Sequence, residues 1–188
     1  MSEITVLLGQ ARDGDAGAWD RVVEMLYADL KRLARSASYA SGAGANDVTA
    51  LVHDCYLRLS RNGAENIENR AHFLSIASMA MRQLVINHAR DRVAQKRGGG
   101  QSHTTLGKVD FDASLAAQSE AEELIEIDDA MRKLADIDPR LVRAIECRLF
   151  AGLSEEETAV ALGVPLRTAQ RLWQQARERL RDLLDQAD

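Results

Sequence analysis

The sequence predicts an all-α fold of two helical domains joined by a flexible linker, the C-terminal one a helix-turn-helix. Three observations predict it. Strong helix formers (Ala, Leu, Arg and Glu) dominate the 188 residues, and there are only 2 prolines. Apolar residues recur at the three- and four-residue spacing of one helix face. The segment 154–180 carries a capping signature, a glycine turn and a second amphipathic helix, in the order that two crossed helices require.

The elements follow in order. Residues 4–14 read as a short helix ending at Asp13, Gly14 and Asp15. Residues 16–40 read as a single longer one, with Trp19, Val22, Val23, Leu26, Tyr27, Leu30 and Leu33 in register. Ser41 and Gly42 begin a break. Asn46 or Asp47 can cap the next helix, which runs to about Arg61 with Val48, Leu51, Val52, Cys55, Tyr56 and Leu59 on its apolar face. A polar loop over 62–69 leads into the longest helix, 71–95, apolar at Phe73, Ile76, Ala77, Ala80, Leu84 and Val85. Gly98, Gly99 and Gly100 stop it. The stretch after them has no periodicity and is rich in Ser, Thr, Asp and Gly, as a linker is. The expected division is therefore a first domain over 1–97, a linker over 98–118 and a second domain over 119–188.

Within the second domain, Leu124, Ile127, Met131 and Leu134 mark one helix. Asp138 caps the next, with Pro139 at its first position and Leu141, Val142, Ile145, Leu149 and Phe150 as its apolar face. Ser154 and Glu157 form a capping box. Gly163 suits a left-handed turn, and Val164 can fill the angle between the two helices. On the last helix Ala169, Leu172, Trp173, Ala176 and Leu180 make one inward stripe. Arg167, Thr168, Gln170, Arg171, Gln174 and Gln175 are left facing out. Arg and Gln are the side chains that read guanine and adenine edges in the major groove, and a recognition helix reads with its N-terminal half. A helical hairpin that only packs would show the same stripe but has no need of that outward set.

The net charge of -5 conceals a pattern. Residues 70–108 carry seven Lys/Arg against the single acid Asp91; residues 109–138 carry two against ten acids; residues 166–181 carry five Arg against Glu178. Local fields, not the sum, attract a polyanion. In the first basic block Arg82, Gln83, Asn87, Arg90 and Arg92 lie on the long helix, and Asn62, Asn66 and Asn69 on the loop before it. Basic groups beside amide donors suit unpaired DNA; an ordinary solvated basic face fits them equally, since no ladder of aromatic residues accompanies them.

Other classes find little. Cys55 and Cys147 have no CxxC partner and no metal spacing with the four histidines, so neither a metal nor another cofactor is expected. His72 and His88 read as surface or packing residues. There is no glycine-rich phosphate loop and no nucleophile with a placed base, so no enzyme is expected. The N-terminus lacks the features of a signal peptide, and no apolar run approaches the ~20 residues that span a membrane. A cytoplasmic protein is the expectation.

Three stretches together resemble the extracytoplasmic-function (ECF) sigma factors of bacterial RNA polymerase, over nearly the whole chain. LVHDCYLRL at 51–59 is similar to that family's polymerase-docking helix. The stretch from Phe73 to Arg97 is similar to the helix that opens and reads the minus-ten element. The stretch from Leu162 to Leu180 is similar to the reader of the minus-thirty-five element. The resemblance implies an alternative sigma factor whose partners are core RNA polymerase and promoter DNA. It implies docking through Asp47, Leu51, Val52, Asp54 and Tyr56, and minus-ten contacts by Asn66, Arg82, Gln83, Asn87 and Arg90. The minus-thirty-five element falls to Gln170, Arg171, Gln174 and Gln175, with Arg167, Thr168 and Arg177 on phosphates. Many members have Asn where Gln83 stands, which alters the expected base preference. The runner-up is a stand-alone helix-turn-helix transcriptional regulator, which has no use for the docking-type helix or the first basic block. The sequence identifies no anti-sigma factor.

One departure from the family pattern bears on control. Members commonly carry an acidic cluster just before the position of Leu51; here the residues are Asp47, Val48, Thr49 and Ala50. A phosphothreonine would add about -1.5 to -2 charge near a helix N-terminus. Thr49 is therefore a candidate modification site, and a Ser/Thr kinase a candidate partner. A subgroup sharing TALVH (49–53) and KRGGG (96–100) is similar in this respect, and its resemblance implies control by such kinases. The alternative is that Thr49 only helps start the helix while docking uses Asp47, Asp54 and apolar contacts.

Overall fold

The computed structural model describes residues 2–39, 45–61, 67–97 and 110–186. Among them every regular element is helical: α1 (Glu3–Arg12), α2 (Ala16–Met25), α3 (Tyr27–Tyr39), α4 (Ala45–Arg61), α5 (Arg70–Arg97), α6 (Asp110–Ile137), α7 (Pro139–Ile145), a π-helical turn (Glu146–Phe150), α8 (Glu155–Leu162) and α9 (Leu166–Asp185). The expected all-α class is the observed one. No described helix is long and apolar enough to cross a membrane.

Local chemistry sets the boundaries. Ser2 and Asp15 cap α1 and α2 by accepting from the backbone N–H of Thr5 and Ala18. The single helix expected over 16–40 is divided at Leu26, but gently. The Leu26 N–H still reaches the carbonyl of Val22, and the Leu30 N–H that of Leu26, so the interruption bends the chain without releasing it. On α4 the helix begins at Ala45, one residue before the expected caps. The expected linker is shortened too: α6 already runs from Asp110, where Asp, Ala and Leu at 110–117 favour helix over coil.

Two apolar clusters hold the chain. The first gathers Leu8, Trp19, Val22, Leu26 and Leu30 against Leu51, Cys55, Phe73, Leu74 and Met81, with the Trp19 and Phe73 rings 5.8 Å apart. The second gathers Met131, Leu134, Leu141 and Ile145 under Leu172 and Ala176 of α9. The clusters meet at a seam. Cys147, Ala151, Leu153 and Ala161 from the C-terminal half pack into the first cluster. Helix α5 runs through this junction, which is why its buried residues do not keep to one stripe. Phe73, Leu74, Ala77 and Met81 are buried in the first cluster together with residues of α3 and α4. Ser75 and Ser78 contact the π turn, while Arg82 and Arg90 contact α6.

The π turn corrects the reading of residues 139–150. A straight α-helix would place Leu149 beneath Ile145 on the buried face. A π turn holds more residues per turn and rotates the register. Glu146 and Cys147 turn inward, and Leu149 is left 55% exposed.

Candidate nucleic-acid interface

The helix-turn-helix is built by short-range chemistry. Ser154 Oγ accepts from the Glu157 N–H, and the Glu157 carboxylate accepts from the Ser154 N–H, closing a capping box on α8. Gly163 ends α8 at φ 64°, a left-handed conformation costly for any side chain with a Cβ. The Val164 N–H bonds back to the Ala159 carbonyl at 3.0 Å, locking the turn. Ala169, Leu172 and Ala176 seat α9 on the second cluster. Trp173 is half-buried beside it, its ring flanked by the Arg148 and Arg177 guanidinium groups at 5.7 and 5.8 Å. That placement makes it a packing residue rather than a base-stacking one.

Arg167, Gln170, Arg171, Gln174, Gln175 and Arg177 are all exposed on α9, and Thr168 is half-exposed. Gln170 donates to Glu155 at 2.6 Å, and Gln174 to Glu178 at 3.3 Å. Such exposed bonds can be exchanged for base contacts at small cost. Pro165 precedes α9 and offers it no side-chain cap; the Thr168 N–H bonds the Pro165 carbonyl at 2.9 Å instead.

On α5 the five expected contacts fall into three groups. Gln83 and Asn87 share an accessible strip, Gln83 donating to Asn87 at 3.2 Å. Asn66 lies outside the described residues. Arg82 is covered by the C-terminal half, and Arg90, with its side chain 31% exposed, is paired to it. The Arg82 guanidinium reaches Asp128 of α6 at 2.6 Å and Glu146 of the π turn at 2.9 Å, with the Phe150 ring 5.9 Å away. Arg90 reaches Asp128 at 2.9 Å and Asp129 at 3.4 Å. The side chains of Asp128 and Glu146 are each 3% exposed and that of Arg82 13%. At the other end of the seam Arg70 bridges Asp29 of α3 and Glu157 of α8.

Burial pushes the Glu146 carboxyl above its ordinary range; Arg82, by charge and hydrogen bond, and Arg143 oppose this, and Asp128 reinforces it. His72 is held below its ordinary range by burial first and by Arg143 second, against Glu68. Burial raises the Cys55 thiol to about 12 and raises Cys147 also, so both are inert as nucleophiles. Among the described residues no cluster of His, Cys, Asp and Glu could hold a metal ion.

On the docking-type helix Leu51 and Val52 are each only 5% exposed and pack into the chain's own core. Tyr56 donates its hydroxyl to Asp20. The accessible side chains are Thr49, Ala50 and His53, with Asp54 half-buried beside them. The side chain of Asp47 lies outside the described residues.

The profile of the ECF sigma factor family matches residues 1–186. The chain belongs to the ECF sigma factor family. Its members are alternative sigma factors: non-enzymatic initiation factors that bind core RNA polymerase and promoter DNA and direct promoter-specific transcription. Among solved structures, that of CnrH in complex with the cytosolic domain of CnrY is similar over 100% of both chains, at 21% identity and a TM-score of 0.44. Comparison with curated proteins returns no match. In this sigma factor, sequence reasoning missed Asp128, Asp129 and Glu146, the acids that hold the α5 arginines. Asp128 carried a signal. Ala121, Leu124, Asp128 and Met131 recur at spacings of three and four, which places a carboxylate in an apolar stripe.

Proposed function

We propose that this sigma factor grips its promoter at two points and that its docking to polymerase is strengthened by phosphorylation of Thr49. Residues 1–97 act as the docking and minus-ten domain, and residues 119–188 as the minus-thirty-five domain. The observation that carries the reading is the outward row on α9. Arg171 presents paired donors, and Gln170, Gln174 and Gln175 each present a donor beside an acceptor; Arg167, Thr168 and Arg177 are the residues we assign to the flanking phosphates. Gln83 and Asn87, with Asn66, Arg82 and Arg90, serve the minus-ten element, where a base must leave the stack at a cost of a few kcal/mol.

The face of α4 offered to polymerase is Thr49, Ala50, His53 and Asp54. It is poor in the acidic charge that family members commonly bring there, and Thr49 is exposed within the first turns of the helix, where a dianionic phosphate is favoured. Thr49 is therefore the substrate residue we assign to a Ser/Thr kinase. The test is run-off transcription with core polymerase and genomic promoter fragments, comparing Thr49-phosphorylated and unmodified protein. Transcripts that depend on the chain and increase on phosphorylation support both parts. Equal transcription from the two forms removes the phosphate switch and leaves the two-point grip standing.

A further inference from the structure

A cavity of about 160 Å³ lies beside Arg82, walled by Leu33 of α3, Met81 and Val85 of α5, Leu124 of α6 and Phe150 of the π turn. Leu33, Met81 and Val85 belong to the first apolar cluster, so the cavity is a pocket in a core. Its mouth lies at Ser36 and Leu149, the exposed members of the wall. An apolar cavity of about 150 Å³ accepts a single benzene-sized ring. The volume here therefore suits one ring, with a short substituent reaching towards the mouth.

One polar group is built into this wall. Among the described residues three buried side-chain polar atoms have no hydrogen-bond partner: Arg82 Nε, Arg148 Nε and Thr158 Oγ1. Of these residues Arg82 alone lines the cavity. A buried donor without an acceptor bears its full desolvation cost, and an acceptor on a ligand removes that cost. The donor is also held still. The terminal nitrogens of Arg82 are fixed by Asp128 at 2.6 Å and Glu146 at 2.9 Å, and its guanidinium lies 5.9 Å from the Phe150 ring. The Ser78 hydroxyl, also in the wall, already donates to the Ser75 carbonyl at 2.9 Å. The same carboxylates decide the charge of an occupant. Arg82, Arg90 and Arg132 are balanced by Asp128, Asp129 and Glu146. An anion entering the pocket would lose its hydration and meet no unpaired cation.

We propose that this pocket binds a small neutral ring compound with one acceptor oxygen (a ketone, ester or lactone), its ring among the apolar wall residues and its oxygen on Arg82 Nε. The inference goes beyond promoter recognition and does not rest on which DNA element α5 serves. Because the walls come from α3, α5, α6 and the π turn, occupancy ties the stability of the whole chain to ligand concentration by mass action.

The test is NMR on the full-length protein with labelled methyl groups and arginine Nε, titrated with acetophenone, ethylbenzene and benzoate. Acetophenone is expected to move the methyl signals of Leu33, Met81, Val85 and Leu124 saturably, to shift the Arg82 Nε–H signal and to slow its exchange with water. Ethylbenzene, which has the ring but no acceptor, should move the methyl signals and leave the Nε–H signal in place. Benzoate should bind at least about tenfold more weakly than acetophenone. Ala37 also lines the pocket and is half-buried, and Ala37→Leu should weaken acetophenone binding at least about tenfold by taking up the space. The melting temperature should rise with acetophenone in the wild type and stay level in that variant. If Ala37→Leu fails to fold, the three compounds on the wild type still decide. Absence of saturable binding by acetophenone overturns the proposal, as do shifts confined to methyl groups away from the pocket. An Nε–H signal unmoved at saturation, or benzoate binding as tightly as acetophenone, overturns it equally. Neither DNA nor polymerase enters these measurements, so their failure leaves the proposed function to be judged separately.

Discussion

Asp128 of α6 and Arg82 of α5, 46 positions apart in the chain, meet at 2.6 Å in a seam that leaves the carboxylate 3% exposed. Removing the carboxylate from such a pair ordinarily costs about 3–5 kcal/mol, because the guanidinium is left buried and alone. Asp128→Ala is therefore expected to lower stability in urea by about 3–5 kcal/mol, with faster amide exchange where α5 meets α6. A loss below about 1 kcal/mol would contradict it.

Glu146 gives a pH dependence whose sign follows from its environment. Its carboxyl is raised above the ordinary 4.5, chiefly by burial, with Arg82 and Arg143 opposing and Asp128 reinforcing. A raised acid contributes most to stability when protonated, below the unfolded value, and loses that contribution as pH climbs through the folded one. Glu146→Gln is neutral at every pH. The stability of the wild type relative to this variant is expected to fall as pH rises from about 4.5 towards neutrality. Urea midpoints measured across that window check it, and a difference that grows with pH contradicts it.

On α9 the outward and inward residues separate binding from folding. Arg171→Ala and Gln174→Ala should each weaken duplex promoter binding by about 1–3 kcal/mol with an unchanged melting temperature, since both are exposed. Leu172→Ala, within the second cluster, should cost about 2–5 kcal/mol of stability. Fluorescence anisotropy and thermal melts on the same samples distinguish the two.

Thr49 is exposed on α4, so its substitution should leave stability within about 0.5 kcal/mol. Thr49→Ala is expected to lower transcription in cells that contain the kinase, and Thr49→Glu to restore part of it, one carboxylate carrying less charge than a phosphate. Full reporter activity from Thr49→Ala in those cells sinks the switch.

The α9 face was legible in the sequence because one stripe of Ala169, Leu172 and Ala176 fixes which residues point out, and a capping box and Gly163 fix where the turn lies. The division of Arg82 and Arg90 from Gln83 and Asn87 was not. All four lie on one helix, and only the packing of α6 and the π turn against it decides which are covered. Cys147 was hidden for a further reason: α-helical periodicity places it outside the apolar stripe, and the π turn brings it in. Leu51 and Val52 matched a docking motif while also fitting the apolar stripe of α4, and the core took both.

The most direct measurement of the two-point grip is site-specific photocrosslinking of the polymerase-bound chain to promoter DNA, with the reactive group placed in turn at Gln83 and at Gln174. The account predicts that Gln83 labels the non-template strand at the minus-ten element and that Gln174 labels duplex at the minus-thirty-five element. Labelling of one common site by both positions, or of DNA by Gln174 alone, would contradict it.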